Sequence, residues 1–321
     1  MKKNILISAA SALLLAAAVV PARASDCPGF LPPNDMRIPV DSPEARGITE
    51  AQFNGVLDTI QRLYGPIVAQ QGGVLQINRR WTDATVNASA QQSGNKFILN
   101  MYGGLARHDA ITMDGFALVV CHELGHHLGG APKSGGWFNS WASIEGQSDY
   151  YANLKCLRKV FADPGAAAFT ADKDDDQVAV EACETAFASS LDRDICIRGT
   201  KAGKSVAALF MDLHHETTPP LFATPDQNVV STMFESHPAT QCRLDTYLQG
   251  SICPQPVSAA LSNTDPAAGT CTRSGGFSFG FRPLCWYKPA KASELADAAP
   301  AEAPAFRAGP AFSALRDGFN W

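Results

Sequence analysis

Two periodicities alternate along the chain. Phe53, Val56, Leu57, Ile60, Leu63 and Tyr64 recur at helical spacing and predict a helix over 49–71. Thr49 with Gln52 three residues on is a capping box at its start. Pro66 is expected to kink it, and Gly72-Gly73 to end it. Two strand-like runs follow, 74–81 (VLQINRRW) and 96–107 (KFILNMYGGLAR), with polar turns between them. A helix is predicted over 114–128 (DGFALVVCHELGHHL), stopped by Gly129, Gly130 and Pro132. Another is predicted over 140–161, where Trp141, Ile144, Tyr151, Leu154, Leu157 and Phe161 line one side. Further helices are expected near 175–190, 203–215 and 227–250, while the Pro-rich stretch 25–47 reads as irregular. Helix, strands, two central helices and more helices make an α+β class, with a small mixed sheet and a mostly helical remainder.

The two ends have different compositions. Residues 1–24 carry Lys2 and Lys3, an apolar run from Ile5 to Val20 and Ala22-Arg23-Ala24, the pattern of a secretory signal peptide. Asp26 before Cys27 is wrong for lipid attachment. The chain is therefore expected to be exported, periplasmic or secreted, with a main domain over 25–288 and no integral membrane segment once the signal is removed. Residues 289–321 are rich in Ala and Pro and read as a flexible tail.

Charge and cysteine content narrow the class. The formal net charge is −5 over 321 residues, and Lys and Arg form no cluster, so nucleic acid is not an expected partner. Nine cysteines in an exported chain point to disulfides. Cys121, inside an apolar helix, is expected to be the free thiol, with pairs Cys183–Cys196, Cys242–Cys253, Cys271–Cys285 and Cys27–Cys156.

Chemistry enters at His122-Glu123-x-x-His126. Positions four apart share a helix face, so both imidazoles reach one Zn²⁺ and Glu123 leans over the same place. His127 points away and reads as a packing residue or as a support behind a ligand, not as a ligand itself. A catalytic zinc needs a third protein ligand. In the H-E-x-x-H-x-x-G-x-x-H arrangement that ligand would stand at 132, but Pro132 has no ligating group. Glu145 and Asp149, four apart in the next predicted helix, offer an alternative: Glu145 as ligand, and Asp149 to accept a hydrogen bond from a ligand histidine. Two other clusters read as ordinary polar helix ends, His214-His215-Glu216 and the acidic run 173–177.

Downstream, His237-Pro238 and Arg243 complete a third motif. With HELGH (122–126), EGQSD (145–149) and HPATQCR (237–243) in that order, the chain resembles the HtpX-like and CAAX-prenyl-protease-like zinc endopeptidases of the gluzincin type, over roughly residues 49–250. The resemblance implies a zincin-like fold with an edge strand over the active-site helix. It implies one Zn²⁺ per chain held by His122, His126 and Glu145, with Glu123 as general base and Asp149 supporting a ligand histidine. His237 would donate to the oxyanion or cap the metal, and Arg243 would brace Asp149 or Glu145. The strand at 97–102 would be the edge along which an extended polypeptide substrate pairs. Those family types are membrane-embedded, whereas here no later segment is apolar and long enough to span, so the chain resembles a soluble exported branch. The expected function is zinc-dependent hydrolysis of peptide bonds. The alternatives are a latent or non-catalytic zinc-binding assembly or chaperone-like factor, associated with envelope proteins and with His237 capping the metal, or a disulfide-stabilised module with incidental histidines.

Overall fold

Thr49 caps the first helix as predicted, with both halves of the capping box formed, and α1 runs through Pro66 to span Glu50–Gln70. Gly72 takes a left-handed turn (φ 77°) that sends the chain into the sheet. The computed structural model describes residues 25–26, 29–135, 140–169 and 176–290. The expected signal peptide, Cys27, most of the acidic run and nearly all of the expected tail lie outside the described residues.

The sheet has four strands, β1 Ser25–Asp26, β2 Val74–Arg80, β3 Ala88–Ser93 and β4 Lys96–Tyr102, in the order β1-β3-β4-β2. It is mixed, since β4 pairs parallel to β2 and antiparallel to β3. Two expectations change here. The run 96–107 is a strand only to Tyr102 and then turns into a short helix, α2 Gly103–Arg107. The strand at 97–102 is also not an edge, because β4 has a partner on each side. The strand beyond it, β3, has the sequence ASAQQS with no β-branched or aromatic residue. Its strand state comes from pairing with β4, not from intrinsic preference. The outer edge of β3 is followed in turn by β1 and by residues 29–38. Phe30 N–H donates to Ala88 O (2.9 Å) and Ile38 N–H to Ala84 O (2.8 Å), while Met36 O accepts from Val86 N–H (3.2 Å).

The helix carrying the first motif, α3, spans Met113–Leu128 and is buried from Asp114 to His127. A helix buried on all sides needs neighbours all round. Here they are α1, strands β3 and β4, the α4 helix (Glu145–Tyr151) and the long α7 helix (Ser190–His214). α4 continues through a π-helical stretch, Ala152–Leu157, into α5, Arg158–Phe161. It therefore starts at 145 and not at 140; Ser143 instead bridges to Lys133 as extended chain. The described residues also include α6 (Gln177–Ala186) and α8 (Thr240–Ile252). The expected helix over 227–250 begins only at 240, because its first part lies along the C-terminal loops, with Val230 N–H on Leu284 O and Phe234 N–H on Trp286 O. Among the described residues, no helix is long and apolar enough to cross a membrane.

Four disulfides cross-link the described residues, and only Cys183–Cys196 is as expected. Cys121 is not a free thiol. It is bonded to Cys156, with Cα atoms 5.5 Å apart, and so ties α3 to the π-helical stretch. The remaining pairs are Cys242–Cys285 and Cys253–Cys271. The pairing differs because the loops after α8 fold back over α4. This return buries Trp286 completely and puts its indole against Gly146.

A methyl group at Gly146 would sit 2.2 Å from Trp286 Cδ2. Alanine favours helix by about 1 kcal/mol over glycine, but such a contact costs about 1–3 kcal/mol. Gly146→Ala is expected to lower the melting temperature in calorimetry despite the better helix former.

Candidate metal centre

α3 presents His122 and His126 on one face, as the four-residue spacing requires. Their rings stand edge to face with centroids 4.8 Å apart. α4 crosses this face with Glu145 at its first turn. The crossing is close at Gly125, where a Cβ would meet the Cα of Ser148 at 3.0 Å, so a larger residue would push Glu145 away. One ligating atom from each of His122, His126 and Glu145 falls within 4.8 Å of the other two.

The ring nitrogens are oriented from behind. His126 Nδ1 lies 2.8 Å from the carbonyl oxygen of Ser143, which only accepts, so Nδ1 carries the proton. His122 Nδ1 lies 2.7 Å from Asp149 Oδ1 and donates to it in the same way. Each imidazole in its neutral form is left with a bare Nε2 lone pair, and both lone pairs face Glu145. His122 Nε2 is 3.2 Å from Glu145 Oε2, and His126 Nε2 is 3.7 Å from Glu145 Oε1. Tetrahedral zinc ligands at about 2.1 Å from the ion lie about 3.4 Å apart, so the two histidine–glutamate separations suit a divalent cation such as zinc. His122 Nε2, His126 Nε2 and Glu145 Oε2 are all buried without a hydrogen bond. A divalent cation there would satisfy all three, whereas each left unpaired costs about 1–3 kcal/mol.

Asp149 is fully buried and held by more than His122. Its Oδ1 accepts from Arg243 Nη2 at 2.7 Å and from Tyr247 Oη at 2.9 Å. The guanidinium packs against two aromatic rings, Phe30 and Phe210, 4.7 and 4.1 Å from their centroids. Arg243 therefore braces Asp149, one of the two positions expected. Tyr247, four residues after Arg243 on α8, was missed by the sequence reading, although that spacing puts both on one face. The Ser143 carbonyl and Phe30 carried no sequence signal.

His237 is not among the convergent ligand atoms. Its Nε2 donates to Gly29 O at 2.7 Å and lies 3.7 Å from Glu145 Oε2. His127 is stacked between Phe97 and Trp141, each 4.6 Å away centroid to centroid, and takes no part in the cluster. His214 sits 3.3 Å from Glu216 as a polar helix end. The one other cluster of potential ligands among the described residues is Asp226, Cys242 and Cys285, and those cysteines are joined as a disulfide.

Charge follows burial and neighbours. Burial pushes the Glu123 carboxyl up to about 8, with the Glu145 charge adding to it. Both Glu123 oxygens are buried and without a hydrogen bond. Burial opposes the Glu145 carboxylate, but His126 and His122 outweigh it and hold it down at about 2. Burial likewise opposes the His122 cation, and Asp149 and Glu145 outweigh it, holding the ring up at about 9. The other two rings go the opposite way, as burial pulls His126 down to about 4 and His127 to about 3.

Two outcomes follow. His127 is neutral when folded and takes up its proton near pH 6.5 when unfolded. Its contribution to stability is therefore complete above that pH and is lost as pH falls toward 3. In urea titrations His127→Phe should flatten the acid limb between pH 6 and 4 by about 1.4 kcal/mol per pH unit. Asp149→Asn leaves Arg243 buried without its counter-charge, so it is expected to cost about 3–5 kcal/mol and to weaken metal binding about 10–100-fold, both read by calorimetry. Compared with protein-family models, with curated proteins and with solved structures, the chain matches none.

Proposed function

We propose that this chain is a zinc-dependent endopeptidase of zincin-like, gluzincin type, exported to the periplasm or beyond. The observation that carries the reading is Glu123. A site needed only to hold metal has no use for a further buried carboxyl beside the ligands, yet Glu123 is fully buried and unpartnered, and burial pushes it up to about 8. The three-motif resemblance supports the same reading, and the four disulfides fit an oxidising compartment.

His122, His126 and Glu145 would hold the ion. Bound Zn²⁺ supplies Lewis acidity, activating a water at neutral pH and polarising a carbonyl. Glu123 takes a proton from the attacking water and passes it to the leaving amine. A carboxyl held at about 8 is matched to both halves of that exchange near neutral pH. His237, with Nε2–H already donating to a peptide carbonyl at 2.7 Å, stabilises the negative charge that develops on the substrate carbonyl oxygen. Asp149, with Arg243 and Tyr247 behind it, keeps the proton of His122 on Nδ1 and the ring in place. The substrate is an extended polypeptide, and the strand nearest α3 from which it would be recognised is β3, not β4.

The second reading is a latent or non-catalytic zinc-binding factor of the envelope. It is favoured by one observation: His122 and Glu123 are 0% exposed, His126 1% and Glu145 2%, so a substrate reaches the site only if something moves.

Casein hydrolysis by the zinc-loaded chain and by Glu123→Gln distinguishes the two. The variant should retain zinc and lose activity by about 10²-fold or more. Equal cleavage by both proteins, with zinc bound in each, contradicts the mechanism.

A further inference from the structure

The site is sealed by part of this chain. Gly29 O accepts from His237 Nε2 at 2.7 Å, and Phe30 O from Arg243 Nη1 at 3.4 Å. The Phe30 side chain is fully buried. Its ring meets His122 edge-on at 4.9 Å and Phe210 at 5.5 Å, with the Arg243 guanidinium over its face. Leu31 is held through Asn87, whose Oδ1 accepts from Leu31 N–H at 2.9 Å and whose Nδ2 donates to Leu31 O at 3.1 Å. From there the chain continues beside β3 as far as the Arg37–Thr85 bridge and the Ile38–Ala84 bond.

This is how a peptide ligand adds to a sheet edge: main-chain bonds for affinity, and a pocket for a side chain. We propose that residues 29–38 occupy the substrate cleft as an internal ligand, and that the Phe30 pocket is the specificity site for a large apolar side chain directly after the carbonyl held by His237. The inference deepens the peptidase reading and rests on it for the word substrate. His237 donates to the Gly29 carbonyl and the Phe30 ring packs edge-on against His122, so both contacts of the segment fall on the candidate site.

Two consequences follow. The resting chain is latent, since a cleft open for only a small fraction of the time lowers apparent affinity by that fraction. The polypeptides it accepts carry an aromatic or large aliphatic residue after the scissile carbonyl, and those with a small or charged residue there are poor ligands.

The test uses binding, so that it does not depend on hydrolysis. In the Glu123→Gln background, a fluorescein-labelled peptide of residues 29–38 is titrated against the full zinc-loaded chain with and without Phe30→Ala. The Phe30→Ala chain should bind the peptide about tenfold or more tightly, with equal zinc content. An unlabelled peptide carrying alanine in place of its phenylalanine should fail to compete. Equal binding by the two chains, or equal competition by the alanine peptide, overturns the proposal. If Phe30→Ala does not fold, the unaltered Glu123→Gln chain decides by hydrogen exchange at the Phe30 and Leu31 amides. Saturating phenylalanine peptide should speed their exchange, and unchanged protection overturns the proposal. Binding that behaves as expected while Glu123→Gln leaves casein cleavage intact would instead place the fault in the mechanism.

Discussion

One buried carboxylate holds the centre together. Asp149 Oδ1 receives His122 from α3 and Arg243 and Tyr247 from α8, while Asp149 itself stands on α4. Three helices meet at a single oxygen with no solvent to screen it. A charge so placed is tolerable because the Arg243 guanidinium is bound directly to it, and that guanidinium packs against the rings of Phe30 and Phe210. The arrangement has a chemical product. Fixing the His122 proton on Nδ1 turns Nε2 toward Glu145, and the Ser143 carbonyl does the same for His126. The geometry of the candidate ligand atoms is thus set by groups that stand behind them.

The same packing explains why the site is closed. Phe30 covers Arg243 and touches His122, so the segment that shields the buried charge also fills the space in front of the ligands. Stability of the Asp149–Arg243 pair and closure of the cleft are coupled through one aromatic ring. If the chain binds a peptide as proposed, a comparable side chain would replace that ring without exposing the guanidinium, whereas a small one would leave it partly wet. In the proposed reading, substrate preference and the protection of the central ion pair are two aspects of one contact.

What the sequence made legible is what helix geometry dictates. The spacing of His122 and His126, and that of Glu145 and Asp149, each put two groups on one face, and the structure brings His122, His126 and Glu145 together. The capping box at Thr49 was equally local. Interactions set by tertiary return were not legible. β3 has no strand-forming side chains and exists because β4 and β1 pair with it. Cys121 looked like a core thiol because its partner lies 35 residues on, in a stretch whose π-helical turn no propensity reveals. The start of α4 was placed too early because residues 140–144 are apolar enough for helix, yet the Ser143 carbonyl is needed by His126. Gly29 and Phe30 sat in a Pro-rich stretch with no periodicity at all.

The central claim is that two imidazoles oriented from behind and one carboxylate from the crossing helix bind a single zinc ion. Its most direct test is the zinc content of the purified chain, measured by elemental analysis beside Glu145→Ala after both are dialysed against a weak chelator. The account predicts one zinc per wild-type chain and loss of most of it from the variant. A wild-type chain that takes up no stoichiometric zinc, or a variant that holds it equally well, would contradict the account.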